Sequence, residues 1–180
     1  LQRSRTAIMR TLQNFKRYES MPRNGEIFLE FIPERRIFRY SCGVNYFEQD
    51  ETGYEYMLRQ LKRHLVKSNM PMSYFSNIGT VIRRERLAEG ELYSDEVFVF
   101  VDEDSAGEGC ELLPAASYVC LCSNEFTREA ENVRRLMDYV REHNCEIAGD
   151  YLCEVIIDFP VLEFDRRQMF YKTQIPIVFK

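Results

Sequence analysis

Long hydrophobic runs are missing from this 180-residue chain, and so is tryptophan. The longest apolar runs, such as residues 97–101, fall far short of the roughly 20 residues that span a bilayer. The opening residues 1–5 also lack the apolar segment of a signal peptide. We therefore predict no membrane segment, and we expect a chain that begins on Leu1 instead of Met to be preceded by a further domain.

The chain also lacks the residue patterns of metal and haem proteins. Its six cysteines form no C-x-x-C pair, and it has only two histidines, His64 and His143. Both histidines fall among charged residues on predicted helices, which disfavours a haem carrier. We predict no metal site, no cofactor, reduced cysteines and a cytoplasmic location.

Aromatic and charged residues are plentiful instead. The chain has 13 phenylalanines and 11 tyrosines, and it is 45% hydrophobic and 29% charged, which suits one sizeable globular domain or two small fused repeats. The net charge is −5, but residues 1–19 hold five basic side chains against one acidic, a net +4, so the remainder carries −9. An acidic body is a poor partner for DNA, which favours DNA contact only through an absent N-terminal domain.

The first 20 residues form a predicted helix with a narrow apolar seam. Leu1, Ile8, Leu12 and Phe15 recur at helical spacing, a pattern that suits packing against another helix. The proline and glycine within residues 21–25 then end the helix. We predict a domain boundary there, with residues 1–20 forming a separate linker helix.

After this break, the order of the predicted elements repeats. The first half has strands at 26–32 and 36–41, a helix from a capping box at Thr52, and strands around 77–85 and 96–101. After an acidic linker at 102–109, the second half has a strand at 115–122, a helix at 127–143, and strands at 151–159 and 168–178. We predict an α+β fold with pseudo-repeats of about 26–102 and 110–180. These duplicated strand-helix-strand-strand units would form an antiparallel sheet with two helices on one face.

One carboxylate, Glu154, stands in the middle of the β-rich apolar run at 149–160. Strand alternation places Glu154 beside Ile156, on the face opposite Tyr151 and Cys153. An ionised glutamate removed from water costs several kcal/mol unless it is paired, so Glu154 needs an explanation. Either its face is wet, with an ordinary Lys or Arg partner, or the charge awaits a cationic ligand.

Several aromatic residues are available to surround Glu154. Tyr54 opens the first helix of the domain, Phe47 precedes that helix, Phe126 precedes the second, and Tyr171 lies on the last strand. Aromatic faces around a buried carboxylate bind organic cations through cation–π attraction and charge neutralisation. Taken singly, each of these aromatic residues also suits an ordinary place in the core.

Two segments of the second half resemble a known family. Residues 149–157, GDYLCEVII, and 170–177, FYKTQIPI, resemble the GyrI-like effector-binding domain, and especially the drug-sensing C-terminal domain of MerR-family multidrug transcription activators. The resemblance covers residues 24–180, and residues 1–20 resemble the end of the family's long dimerisation helix.

The resemblance implies a regulatory, non-enzymatic domain that binds a small, lipophilic, cationic molecule. The full-length protein would be a homodimeric transcription regulator with an N-terminal helix-turn-helix domain. Its implied ligand-binding residues are Glu154, Tyr54 and Phe126, and we add Ile156, Tyr171 and Phe47. The sequence departs from the family at Arg167, which stands where a pocket aromatic is expected and would neutralise Glu154 internally.

Two other functions share this fold and stay open. Some relatives resemble hydrolases of electrophilic small molecules, for which Glu154 would act as a base with Tyr54 or Tyr171 orienting a proton. No Ser-His-Asp or Cys-His arrangement supports an enzyme in this sequence, so we predict no catalytic residues. A protein-binding module of the gyrase-inhibitor kind is the other alternative.

Overall fold

The structure of the protein is a computed structural model that describes residues 2–23, 25–103, 105, 107–159 and 168–180. These residues form four α-helices and nine β-strands. The helices are α1 (Gln2–Ser20), α2 (Glu51–Lys67), α3 (Arg84–Ala88) and α4 (Glu129–Glu142). The strands are β1 (Ile27–Ile32), β2 (Arg35–Ser41), β3 (Ile78–Ile82), β4 (Glu96–Val101), β5 (Cys110–Leu113), β6 (Ala116–Glu125), β7 (Cys145–Ile147), β8 (Tyr151–Phe159) and β9 (Gln168–Phe179).

The nine strands form one antiparallel sheet with a symmetric order. The order is β1-β6-β9-β8-β3-β4-β2-β5, and β7 pairs with β9. The two units β2-α2-β3-β4 and β6-α4-β8-β9 meet where β8 pairs with β3. From this junction outward, the strands follow in the order β3-β4-β2 in one unit and in the equivalent order β8-β9-β6 in the other. The outer strands β1 and β5 each pair with the opposite unit. The predicted α+β fold with an antiparallel sheet is confirmed.

Helices α2 and α4 cover one face of this sheet, as predicted. The apolar stripe of α2, which includes Leu61 and Leu65, packs into the main core together with Val133 and Leu136 of α4. All four side chains are buried. Each amphipathic helix therefore contributes one apolar stripe to the common core between the helices and the sheet.

The boundaries of some elements differ from the prediction. Asp50, not Thr52, caps α2, because its Oδ1 accepts a hydrogen bond of 2.9 Å from the backbone N of Gly53. The strand predicted at 77–85 ends at Ile82, and the short helix α3 follows. The strands β5 and β7 were not predicted, because four and three residues are too few to show an alternating pattern.

Helix α1 lies on the opposite face of the sheet, against β8 and the segment Met72–Ser76. Its contact with the sheet combines the buried polar side chain of Asn14 with the ring of Tyr18, which packs against Phe170 at 4.9 Å. The predicted apolar seam faces away from the sheet, and the exposed fractions of Ile8, Leu12 and Phe15 are 61%, 51% and 50%. Within the described residues, the seam therefore has no helix packed against it, and its expected partner helix stays a prediction.

Candidate functional site

Glu154 lies on the face of the sheet that carries α1. Its neighbours Tyr151 and Cys153 join the core beneath α2 and α4, whereas Leu152 joins a separate cluster on the other side. This separation follows the alternation of β8 and agrees with the predicted orientation of Glu154. The side chain is only 1% exposed, so it is not a solvated surface carboxylate.

The partner of Glu154 is Arg17 of α1. The two guanidinium nitrogens Nη1 and Nη2 of Arg17 donate to Oε1 and Oε2 of Glu154 at 2.5 and 2.9 Å. Asn77 donates a third hydrogen bond of 3.2 Å to Oε1. Arg167, which the sequence suggested as an internal partner, lies outside the described residues. Glu154 is thus neutralised by a bidentate ion pair, the strongest geometry for arginine and a carboxylate.

The ion pair also sets the protonation state of Glu154. Burial alone would raise the pKa of this carboxyl, but the charge and hydrogen bonds of Arg17, with the nearby charge of Lys172, outweigh burial. The pKa of Glu154 therefore lies below its ordinary value. Glu154 is ionised at neutral pH, and its charge is already compensated within the chain.

The sheet separates Glu154 from the predicted aromatic residues. Tyr171 lies opposite Val155 in the β8–β9 pairing, while Glu154 lies opposite Lys172, so Tyr171 and Glu154 are on different faces. Ile156 packs with Phe170 away from the main helix-covered core. The expectation that Glu154 shares one pocket with Tyr54, Phe126 and Tyr171 is wrong, because these aromatic residues lie on the face of the sheet covered by α2 and α4.

On the helix-covered face, the aromatic residues do come together. The ring centroids of Tyr54 and Phe126 are 5.4 Å apart, and Tyr46 lies 5.6 Å from Tyr54 and 6.1 Å from Phe126. Phe47 packs against Tyr46 at 5.1 Å. Tyr171 lies deeper and donates a hydrogen bond of 2.9 Å to the backbone oxygen of Glu125. The structure thus groups Tyr46, Tyr54, Phe47 and Phe126 between the N-terminal ends of α2 and α4.

A second buried carboxylate, Glu129, lies beside this aromatic group. The hydroxyls of Tyr46 and Tyr151 donate to Glu129 at 2.7 and 3.0 Å, and Thr80 Oγ1 donates at 3.3 Å. Burial raises the pKa of Glu129, and the hydrogen bonds from Tyr46, Tyr151, Cys153 and Thr80 offset only part of that effect. Its pKa therefore lies above the ordinary value. Unlike Glu154, Glu129 has no arginine or lysine among its hydrogen-bond partners in the described structure.

An open cleft of about 340 Å³ gives access to this group, and we name it the acidic cleft. Its lining consists of Tyr46, Phe47, Gln49, Asp50, Glu51, Phe126, Thr127, Glu129 and Ala130. The lining thus combines three aromatic rings with three carboxyl groups and contains no lysine or arginine. A neighbouring cleft of about 310 Å³ is lined by Tyr54, Ile78 and Val155, among others.

Sequence reasoning missed Glu129, although the sequence carries a signal for it. Glu129, Val133, Leu136 and Val140 recur at steps of four, three and four along α4, and all are buried. A carboxylate at an inward position of an amphipathic helix is the same kind of anomaly as Glu154 in its strand. Arg17 carried no comparable signal, because it is 137 residues from Glu154 along the chain.

The cysteines and the metal-binding residue types of the described ranges form no further candidate site. All six cysteines are free thiols, and burial raises the pKa values of Cys42, Cys120 and Cys122 to about 12. Among the described residues, no three side chains of the metal-binding types cluster together. No helix in the described ranges is long and apolar enough to cross a membrane.

Comparison with solved structures identifies the architecture. The chain matches an EcmrR–DNA complex with a TM-score of 0.65 and 15% identity, over 99% of this chain and 67% of that chain. It also matches the C-terminal domain of EcmrR, with a TM-score of 0.58 and 13% identity, over 87% of this chain and 99% of that chain. SAV2435 bound to tetraphenylphosphonium matches with a TM-score of 0.48 and 9% identity, over 85% of this chain and 94% of that chain. No family model and no curated protein sequence matches.

The chain has a GyrI-like fold. The predicted resemblance is therefore confirmed at the level of the fold, at low sequence identity. Within this fold, the acidic cleft and the Arg17–Glu154 pair lie on opposite faces of the sheet. The two buried glutamates thus occupy chemically different settings, and only Glu129 lines an aromatic cleft without a basic residue.

Proposed function

We propose that this GyrI-like domain senses a lipophilic organic cation that binds in the acidic cleft. The observation that carries the proposal is the lining of the cleft, which has three carboxyl groups, three aromatic rings and no basic side chain. Carboxylates neutralise a bound cation, and aromatic faces attract it through their negative quadrupole. Glu129 takes the charge-recognition role that the sequence suggested for Glu154, because Glu154 already has Arg17.

The same proposal assigns a regulatory role to the domain. In the whole protein, ligand binding would bias the equilibrium between two arrangements of α1 and an N-terminal DNA-binding domain. The match to an EcmrR–DNA complex over 99% of this chain supports this organisation. The exposed seam of α1, with Ile8, Leu12 and Phe15, would pair the two subunits of a homodimer.

The test is a fluorescence titration of the purified chain with a lipophilic cationic dye. We expect Glu129→Gln to weaken dye binding at least tenfold, which corresponds to about 1.4 kcal/mol. The matched control is Glu131→Gln, which removes an exposed carboxylate from the same helix outside the cleft. Glu154→Gln should change the dye affinity less than Glu129→Gln does, by a few-fold at most, because Glu154 lies across the sheet from the cleft.

Two outcomes of this titration contradict the proposal. Equal affinities of the wild type and Glu129→Gln would exclude charge recognition by Glu129. A tenfold loss in Glu154→Gln alone would instead favour the face that carries α1. Near-ultraviolet circular dichroism of each variant ensures that a lost affinity does not come from a lost fold.

Hydrolysis of an electrophilic small molecule is the second candidate function. The observation in its favour is the carboxyl of Glu129, whose raised pKa and two tyrosine partners suit general acid–base chemistry. Release of nitrophenol from nitrophenyl esters by the wild type, and not by Glu129→Gln, would favour this activity. Unchanged esters after prolonged incubation would exclude it for this substrate class.

A further inference from the structure

A second groove lies on the face opposite the acidic cleft, between α1 and the strands, and we name it the α1 groove. Its volume is about 450 Å³. Arg10 and Arg17 of α1 line one side, and Arg35, Arg36 and Lys172 of the strands line the other. Four glutamates also line the groove, so its lining carries a net charge of +1 within a chain whose net charge is −5.

Three of these five cations have carboxylate partners. The ion pairs are Arg17–Glu154, Lys172–Glu30 and Arg10–Asp102. The other two cations, Arg35 and Arg36, form no ion pair within the described part of the chain. Arg35 and Arg36, which are adjacent in sequence and half-buried, thus line the groove without an ion pair among the described residues.

The groups that hold Arg35 in position are uncharged, and the nearby charge of Glu154 acts on it without forming an ion pair. Its guanidinium carbon lies 5.2 Å from the ring centroid of Phe100 and 5.3 Å from that of Tyr118. Its Nη2 donates a hydrogen bond of 3.0 Å to Oε1 of Gln174, which is fully buried. The cation is therefore preorganised, so less side-chain freedom is lost when an anion binds to it.

Unsatisfied hydrogen-bond donors belong to these two arginines and to Gln174, which Arg35 contacts. Nε of Arg35, Nε of Arg36 and Nε2 of Gln174 are buried and have no acceptor in the described structure. Buried polar atoms are nearly always hydrogen-bonded, and each such exception calls for a partner. All three atoms are N–H donors, so the partner that fits them is rich in acceptor oxygens.

We propose that the α1 groove binds a small oxyanion, a molecule with a carboxylate or phosphate group, through Arg35 and Arg36. Guanidinium groups bind both kinds of group with paired, charge-assisted hydrogen bonds. Glu34 and Glu103 also line the groove and are exposed, so they select a compact anion over an extended polyanion. The site is independent of the function proposed for the acidic cleft.

The test is isothermal titration calorimetry of the full chain with inorganic phosphate and, separately, with succinate. Potassium chloride at matched ionic strength serves as the blank for each. We expect saturable binding of at least one probe, and the stronger probe identifies phosphate or carboxylate as the preferred group. Arg35→Gln should weaken binding at least tenfold, and Arg36→Gln should weaken it severalfold. The matched control is Arg59→Gln, which removes an exposed arginine of α2 and should leave binding unchanged.

Saturation with neither probe, or equal affinities of the wild type and Arg35→Gln, would overturn the proposal and leave a groove filled with water. If Arg35→Gln does not fold, Arg36→Gln decides the question, and an unchanged affinity there would also overturn the site. Titration of Arg35→Gln with the cationic dye separates the two proposals. Its dye affinity should match that of the wild type, whatever the result for the oxyanion.

Discussion

At the scale of single residues, two buried glutamates are held in opposite ways. Burial acts on both, but Arg17 lowers the pKa of Glu154 below its ordinary value, while Glu129 has only neutral donors and keeps a raised pKa. A lowered pKa stabilises the fold above the pKa of the unfolded chain, and that stability is lost as the pH falls. A raised pKa has the reverse effect, so its contribution is lost as the pH rises.

We therefore expect Glu154→Gln to be most destabilising at neutral pH. The variant removes a buried ion pair, which lowers the free energy of unfolding by roughly 3 kcal/mol. The loss should shrink as the pH falls through the pKa of Glu154, because the wild-type carboxyl is then neutral as well. Urea unfolding at a series of pH values between 7 and acid conditions measures the difference.

Glu129→Gln is the control in this series, because its effect on stability should change with pH in the opposite direction. Its stability relative to the wild type should increase as the pH rises through the raised pKa of Glu129. A destabilisation by Glu154→Gln that does not change with pH would contradict the assignment of an ionised Glu154.

Local patterns in the sequence predicted the position of Glu154 and not its partner. Alternation with a period of two fixes which face of β8 a side chain occupies, and this orientation agrees with the structure. Pairing with Arg17 depends on how α1 packs across the sheet, and no local pattern encodes such a contact. The same reason explains why Tyr54 and Phe126 were grouped with Glu154, although the sheet separates them from it.

At the scale of elements, the two halves of the sheet meet where β3 pairs with β8. Gly79 lies directly opposite Glu154 in this pairing. A Cβ atom at Gly79 would overlap the carbonyl oxygen of Cys153 and the ring of Phe98. The close approach of β3 to β8 thus requires glycine at this position.

We expect Gly79→Ala to lower the free energy of unfolding by about 3 kcal/mol or more, because backbone and a buried ring must both shift. Gly149→Ala is the matched control, since its Cβ would meet only Cγ of Pro176, at 3.1 Å. Thermal and urea unfolding of both variants give the comparison. Equal stability of Gly79→Ala and the wild type would show that the junction is looser than the structure indicates.

The long elements were predictable from their periodicity, and the edges of the sheet were not. The stripes of α2 and α4 each extend over three or more turns, so their inward faces stand out in the sequence. The exchange of β1 and β5 between the two units depends on pairing between distant segments. The apolar seam of α1 was also visible in the sequence, but the helix contacts the sheet through a different face, which includes Asn14, Arg17 and Tyr18.

At the scale of the whole molecule, the β3–β8 junction lies between α1 on one face and the cleft next to the acidic cleft on the other. On the side of α1, Asn77 donates to Glu154 and exchanges hydrogen bonds of 3.0 and 3.1 Å with Asn14. On the other side, the next residues along the chain, Ile78 and Val155, line the neighbouring cleft together with Tyr54. The ring of Tyr54 packs against Tyr46 and Phe126, which line the acidic cleft. A ligand that moves this junction from one face would therefore change the contacts of α1 on the other.

This connection predicts that Arg17 affects ligand binding without contacting the ligand. We expect Arg17→Lys to change the affinity for the cationic dye at least threefold, because lysine keeps the charge but cannot form the bidentate hydrogen bonds with Glu154. Coupling between sites is reciprocal, so dye binding should also change the hydrogen-exchange protection of α1. The control is Lys16→Arg, an exposed change on the same helix that should alter neither quantity. If Arg17→Lys binds the dye like the wild type and the protection of α1 does not respond to the dye, the two faces are uncoupled and ligand sensing requires another route to α1.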